Sequence, residues 1–309
     1  MTSETRNQAH RQDSEYRAGG TDITERRRSG VSRGSVVDLV ASPEMSGTAW
    51  DATGGVRIGA SVTIAALAAD ARIAVAYPGF SAAAAGLATP QVRHIATLGG
   101  NLAQKSRCWY FRNPHIACLK KGGANCPSRD GNHLYGVAFD LGPCVAPHAS
   151  TMAAALMAYD GMVTTSHRSM ISVKALLGDG SDGTADNTLA SDEVIVAIHL
   201  PAAVATERGY YKRAIGRVHA EWPLVELVSR LLVVDNKIQH AFFCAGGIAP
   251  VPLRLTGLEA GIVGAELNAS TIAQASRLAN EGARPLPMTR YKLQLLSGLV
   301  EDFLAAAAN

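Results

Sequence analysis

Four of the five cysteines in this 309-residue chain fall in one stretch. Cys108, Cys118 and Cys126 lie in RCWYFRNPHIACLKKGGANC and Cys144 ends DLGPC, whereas Cys244 stands apart in AFFCAGG. The spacing is C-x9-C-x7-C-x17-C, so no helical turn can align the thiols and loops must bring them together. Gly122, Gly123, Gly131, Gly142 and Pro143 supply such loops. Four thiolates suit a structural zinc or an iron–sulfur cluster, and the absence of CxxC pairs leans toward iron and sulfur. Plain buried thiols are the competing reading, against which stands the polar, glycine-rich setting. Arg107, Arg112, Lys120 and Lys121 would offset the charge of a thiolate-ligated cluster or form a solvated face, and Trp109, Tyr110 and Phe111 would shield it or simply pack. His115, His133 and His148 are left as hydrogen-bonding or surface residues, because four cysteines complete a ligand set.

Two further stretches could do chemistry. RAGGTDI at 17–23 and TLGGN at 97–101 both pair glycines with a hydroxyl or amide neighbour. Paired glycines let backbone N–H groups approach a phosphate or pyrophosphate. Neither stretch is the dinucleotide fingerprint GxGxxG, and neither is a P-loop, because no Lys-Ser or Lys-Thr follows. A Rossmann domain and an NTPase are therefore disfavoured.

The elements that must hold these stretches can be read from pattern. The first glycine pair enters a helix. Val56 and Ile58 alternate with polar neighbours as a strand, and Thr63 is placed to cap the helix IAALAAD. A helix is expected from Pro78 to Gly86, and Pro90 and the Gly99–Gly100–Asn101 run predict a second glycine loop. STMAAALMAYDG reads as a core helix and SDEVIVAIHLP as a strand closed by Pro201. DNK is a hairpin turn between RLLVV and IQHAFFCA, and two helical stretches finish the chain. With 47% hydrophobic residues and a net charge of +3, the chain can build two cores. That charge gives no sign of a nucleic-acid partner. No apolar run is long enough for a membrane span. Residues 1–15 are polar and loosely held by this reading, without the apolar core of a secretory signal, so a cytoplasmic location is expected.

The order AGGTDI, RIGASVTIAALAAD, TPQVRHIATLGGNL, EVIVAIHLP, YYKRA, AGGIAPVPLR resembles the FAD-binding subunit of the molybdenum-containing hydroxylases, the xanthine dehydrogenase family, from about residue 16 onward. The resemblance implies an α+β chain. A vanillyl-alcohol-oxidase-like (PCMH-type) FAD-binding domain would cover 1–203, with an iron–sulfur insertion at about 104–147. A smaller α+β domain like the CO dehydrogenase flavoprotein C-terminal domain would cover 204–309. It implies FAD wrapped by Arg17, Ala18, Gly19, Gly20, Thr21, Asp22 and Ile23 and by Thr97, Leu98, Gly99, Gly100 and Asn101. It also places an apolar flavin contact at Leu87, a backbone contact at Ile195 and a cation near the cofactor at Lys212. No catalytic side chain is assigned.

A subset of that family, including 4-hydroxybenzoyl-CoA reductases and certain bacterial aldehyde oxidoreductases, carries a [4Fe-4S] cluster in a cysteine loop after GGN. RCWYFR, CLKKGG and GPCVAPH match it, which makes Cys108, Cys118, Cys126 and Cys144 the implied ligands. The implied function is an electron-transfer subunit that passes electrons from molybdenum and [2Fe-2S] subunits through FAD to an external acceptor. Both partners are needed, because this chain lacks their cysteine sets and the molybdenum domain. A self-contained flavin oxidase and a metal-stabilised binding module are the alternatives. Two departures stand out. The family begins with a strand and helix where this chain has a polar tail, and PHASTM offers Thr151 where the family carries an acidic residue.

Overall fold

A computed structural model of the chain describes residues 14–216 and 221–308. Most of the polar tail read at positions 1–15 lies outside the described residues. Strand β1 (Glu15–Arg17) leads through the first glycine pair into helix α1 (Ile23–Arg28) and pairs in parallel with β2 (Val36–Asp38). Next come β3 (Thr48–Trp50) and β4 (Val56–Gly59). Val56 and Ile58 are buried and Arg57 is not, which is the alternation a half-buried strand requires.

Side-chain caps set the helices that follow. Thr63 Oγ1 accepts the Ala66 N–H at 3.2 Å to start α2 (Ile64–Ala69), and Asp70 caps α3 (Ala71–Ala76) in the same way. Prolines open α4 (Pro78–Gly86) and α5 (Pro90–Ile95), where a missing N–H costs nothing. The expected loop at TLGGN is instead the first turn of α6 (Leu98–Ala103). Thr97 Oγ1 accepts the Gly100 N–H at 3.1 Å and Leu98 and Leu102 are fully buried. A cap worth about 1 kcal/mol and that burial together offset the helix cost of two glycines, about 1 kcal/mol each.

The cysteine segment contains α7 (Trp109–Arg112) and one 3-10 turn (Leu119–Lys121) and is otherwise irregular until α8 (Thr151–Ala158). Then follow β5 (Met162–Thr165), β6 (Ile171–Ser172), α9 (Val173–Leu177) and β7 (Ile195–Leu200). The order β3-β4-β7-β5-β6 makes one antiparallel sheet. Its core joins Ile58, Ile64, Phe80, Leu98, Leu156 and Ile198.

A second antiparallel sheet, β11-β10-β9-β8, is built from β8 (Arg208–Ala214), β9 (Val225–Val234), β10 (Lys237–Gly246) and β11 (Leu253–Arg254). The β9–β10 turn has Asp235 and Asn236 at φ of 49° and 60°, the type I′ geometry that DNK predicts. Helices α10 (Thr256–Ile262), α11 (Ala269–Leu278) and α12 (Tyr291–Ala308) cover one face, where Leu227, Phe243 and Leu296 form a second core. The side chains that alternate with these, Val228 and Cys244, point to the other face and join the first core. Alternation along β9 and β10 thus fuses the two halves.

The cysteine segment is also fastened to the second half. Ala138 and Phe139 donate their N–H groups to the Ile248 carbonyl at 2.8 and 3.0 Å, and Arg284 donates to Ala138 at 3.0 Å. The buried Lys292 ammonium on α12 donates to the Gly247 carbonyl at 2.6 Å. Among the described residues no helix is long and apolar enough to cross a membrane.

Candidate functional site

The two glycine motifs meet. A methyl group on Gly19 would stand 2.7 Å from the carbonyl carbon of Ile95 and closer still to its oxygen, so only glycine lets the first loop lie against the end of α5. Gly20 has φ of +73°, the left-handed region that glycine occupies without strain. The motifs differ in their free donors. In the second, Leu98 and Gly99 donate to Val62 and Ala60 at 2.9 Å each, and Gly100 donates to its own cap. In the first, the N–H groups of Gly20 and Thr21 bond to no other described residue. The first loop therefore keeps donors for an anion, while the second shapes the wall beside it.

That wall encloses a cavity of about 240 Å³, lined by Thr21, Asp22, Leu87, Gly100 and Asn101 among others. A second cavity of about 510 Å³ adjoins it, with Trp109, Tyr110, Tyr135 and Pro147 on its sides. Arg107, Glu221, Trp222 and Pro223 line both. Cofactor sites typically occupy roughly 300–1,000 Å³, so the glycine-loop cavity alone is small for a dinucleotide and the pair is not. The Thr21 N–H at one end and aromatic walls at the other fit a phosphate-bearing chain that ends in a planar ring.

Asp22 anchors this region. Its carboxylate accepts from Arg112 at 2.6 Å, from Arg26 at 3.1 Å and from the Lys105 N–H at 3.2 Å, and it pairs with Arg107 at 3.1 Å. Burial alone would raise its pKa, but the guanidiniums of Arg107, Arg112 and Arg26 outweigh burial and hold it below the usual carboxylate range. Arg112 also pairs with Glu25 on α1. The first glycine loop and the start of the cysteine segment are thus one ionic unit.

All four clustered cysteines are free thiols and line one small cavity with Ser106, Phe111, Lys120 and Ala146. Neighbouring backbone N–H groups favour the thiolate forms: those of Phe111 and Tyr110 at Cys108, those of Val145, Ser128 and Arg129 at Cys126, and that of Ala146 at Cys144. Cys126 and Cys144 share a thiol hydrogen bond that holds Cys126 low and pushes Cys144 up. Burial raises Cys108. Among the described residues no three His, Cys, Asp or Glu side chains form a ligand group for a metal ion. Cys244 is buried in β10, outside this cavity.

The decisive comparison concerns the family. The model described as the FAD binding domain in molybdopterin dehydrogenase matches residues 4–203, and that of the CO dehydrogenase flavoprotein C-terminal domain matches residues 210–307. The chain belongs to the FAD-binding subunits of the molybdopterin dehydrogenase family. It is an oxidoreductase subunit with the two-part α+β fold of that family. The subunit is 29% identical over 262 residues to the aldehyde oxidoreductase FAD-binding subunit PaoB of Escherichia coli (strain K12), covering 82% of this chain and 79% of that one. It is 22% identical over 303 residues to the xanthine dehydrogenase FAD-binding subunit of Escherichia coli O157:H7, covering 94% and 87%. Its fold matches a chain of quinoline 2-oxidoreductase from Pseudomonas putida 86 with a TM-score of 0.75 at 19% identity, over 98% of this chain and 92% of that one. A chain of carbon monoxide dehydrogenase from Hydrogenophaga pseudoflava matches at 0.73 and 18% identity, over 94% and 88%.

Not every residue that the sequence nominates reaches the subunit's cavities. Thr21, Asp22, Leu87, Gly100 and Asn101 line the glycine-loop cavity. Arg17 pairs with Asp38 beside it, Ala18, Gly19 and Gly20 form the turn, and Ile23 is the buried first residue of α1. Thr97, Leu98 and Gly99 build the cap and core of α6. Ile195 opposes Thr165 in the first sheet, and Lys212 turns outward to Asp302 on α12 at 2.5 Å. Strand alternation explains Lys212, because its neighbour Arg213 is the one on the cavity side. The three histidines take hydrogen-bonding or surface places: His133 Nε2 accepts the Met288 N–H at 3.3 Å, His148 Nδ1 accepts the Ser150 N–H at 3.2 Å, and His115 is exposed.

Other residues escape a sequence reading. Thr151, standing where the family carries an acid, donates its hydroxyl to Glu226 Oε2 at 2.8 Å, and Tyr211 donates to the same oxygen at 2.9 Å. Glu226 on β9 thus gathers both hydroxyls. Burial raises its pKa against those two donors. A lone acid inside the apolar run PLVELV was the only signal. Trp222 was equally silent.

Proposed function

We propose that this FAD-binding subunit also carries a [4Fe-4S] cluster and serves as the electron-transfer flavoprotein of a molybdenum hydroxylase complex. FAD would lie along the two adjoining cavities, its pyrophosphate on the Thr21 donor and its ring toward the aromatic walls. Thr21, Asp22, Leu87, Gly100 and Asn101 would hold it. When bound, FAD supplies a store of two electrons between partners of unequal electron number. The cluster would be held by Cys108, Cys118, Cys126 and Cys144 and supply one-electron transfer.

The observation that carries the reading is the shared cysteine cavity beside the aromatic one. Four thiols separated in sequence face one space, and Cys108, Tyr110 and Ala146 line both cavities. N–H groups that favour the thiolate forms suit sulfurs that bear a cluster's charge. The partners proposed are a molybdenum-cofactor subunit and a [2Fe-2S] subunit, consistent with relatives that are named as subunits of aldehyde oxidoreductase and xanthine dehydrogenase. A domain border at 203/204 and a cytoplasmic location belong to the same proposal, the latter supported by five free thiols.

The test is anaerobic isolation followed by assay of flavin, iron and acid-labile sulfide, with serine placed singly at each of the four positions. Iron and sulfide should be present in the native protein and lost in each variant. Zinc instead of iron, or full iron in all four variants, would remove the cluster and leave the flavin assignment standing.

A further inference from the structure

Arg107 occupies an unusual place. It lies directly before Cys108, and its guanidinium lines both the glycine-loop cavity and the aromatic cavity. One end nitrogen donates to Gln104 Oε1 at 3.2 Å and pairs with Asp22 at 3.1 Å, while the other faces Glu25 at 3.6 Å. Its Nε–H is buried and has no partner among the described residues. The guanidinium carbon sits 4.6 Å from the ring centroid of Trp222, a half-exposed indole from the opposite half of the molecule that lines the same two cavities.

We propose that Arg107 and Trp222 form a cofactor clamp. Together they stand where the two cavities join, so a dinucleotide that extends through both must pass between the guanidinium and the indole. Parting them frees the unpartnered Nε–H, which then donates to an oxygen of the cofactor. The released indole packs on the flavin ring. The physical basis is twofold. A buried donor without a partner is costly until it is satisfied, and a cation–π contact is weak enough to be exchanged. A charge-assisted hydrogen bond and a ring-on-ring contact can therefore replace the closed pair. Asp22 and Glu25 hold the arginine in place from α1, which ties the clamp to the loop that offers the phosphate donors. The proposal rests on the FAD reading and adds two residues that the cysteine segment and the β8–β9 connection contribute.

The experiment uses the full chain stripped of flavin and titrated with FAD. Arg107→Gln should weaken FAD binding roughly 10- to 100-fold, Arg107→Lys should recover part of the loss, and Trp222→Ala should weaken it roughly 3- to 10-fold. In a Trp50→Phe, Trp109→Phe background, Trp222 is the remaining tryptophan, and FAD should quench its emission. Titration with ADP and with riboflavin separates the acceptors: Arg107→Gln weakens ADP if a phosphate oxygen takes the bond, and riboflavin if a flavin or ribityl oxygen does. Circular dichroism and iron content reveal any unfolding of the glutamine variant, in which case the lysine and Trp222→Ala variants carry the measurement. Native affinity in Arg107→Gln, or unchanged Trp222 emission on saturation, overturns the clamp while flavin binding by the native chain stands. A native chain that binds no flavin overturns both readings.

Discussion

Replacing Gly19 with alanine gives the sharpest test of how the two glycine motifs are assembled. The new methyl carbon would stand 2.7 Å from the Ile95 carbonyl carbon and 3.2 Å from the Ala96 Cα. Carbon atoms rest at about 3.5 Å or more, and the Ile95 carbonyl oxygen is closer still, so the backbone segments must separate by more than about 1 Å. No rotamer can relieve the clash, because the obstructing atoms are backbone. Overpacking of this kind costs about 1–3 kcal/mol, and the strain falls on the junction between the first loop and the residues that lead to the Thr97 cap. FAD affinity should drop by roughly 5- to 150-fold if the same free energy appears in binding. Gly20→Ala is the control. Its methyl would find Thr24 Oγ1 no closer than 3.4 Å but must adopt a φ of +73°, a conformational cost of about 1–2 kcal/mol without separation of the motifs. Urea unfolding gives the stability change and flavin fluorescence the affinity. A Gly19→Ala protein with native midpoint and native FAD affinity would refute the packing argument and the placement of the first loop.

Three other substitutions bear on parts of the fold that the site depends on. Lys292 is buried and its pKa is pushed down to about 7 by burial; above pH 7 the unfolded chain holds the proton that the folded chain has lost. Stability should therefore rise by about 1.4 kcal/mol per pH unit from pH 7 toward 10 through this group, and Lys292→Met should flatten that slope in urea titrations across the range. Asp22→Ala leaves Arg107, Arg112 and Arg26 without their shared anion, which should cost about 3–5 kcal/mol. Because Asp22 is held below the usual range, its contribution is present at neutral pH and lost as pH falls through its lowered pKa, so the variant should show a shallower acid limb in thermal melts. Cys244→Ser buries a hydroxyl at a fully enclosed site and should lower stability by about 1–3 kcal/mol with iron content unchanged, measured by melting and metal analysis on the same sample.

Much of the fold was legible because its signals are local. Thr63 as a cap, Pro78 as a helix opener and Asp235–Asn236 as a hairpin turn all act through neighbouring backbone, and the structure places each as its sequence context requires; Pro90, read as a helix breaker, instead opens a helix of its own. TLGGN reads as a loop because two glycines lower helix propensity, whereas burial of Leu98 and Leu102 by distant elements supplies what propensity lacks. Lys212 and Arg213 show the same limit. Strand alternation says that they face opposite sides, but which side is the cavity depends on how β8 lies against the rest of the molecule.

The sequence by itself determined that this chain holds a cysteine-rich segment between a glycine motif and a core helix, that a second glycine motif opens the chain, and that the motif order is that of an FAD-binding subunit. Residue type and order along the chain carry those facts without any geometry. Only the tertiary structure decided that the four thiols face one cavity, that Thr151 and Tyr211 converge on Glu226, and that Arg107 meets Trp222 between two cavities. Each of these joins residues far apart in the chain. Such contacts are fixed by the packing of β9, α8 and the cysteine segment, and no local pattern encodes which buried side chain will find which partner.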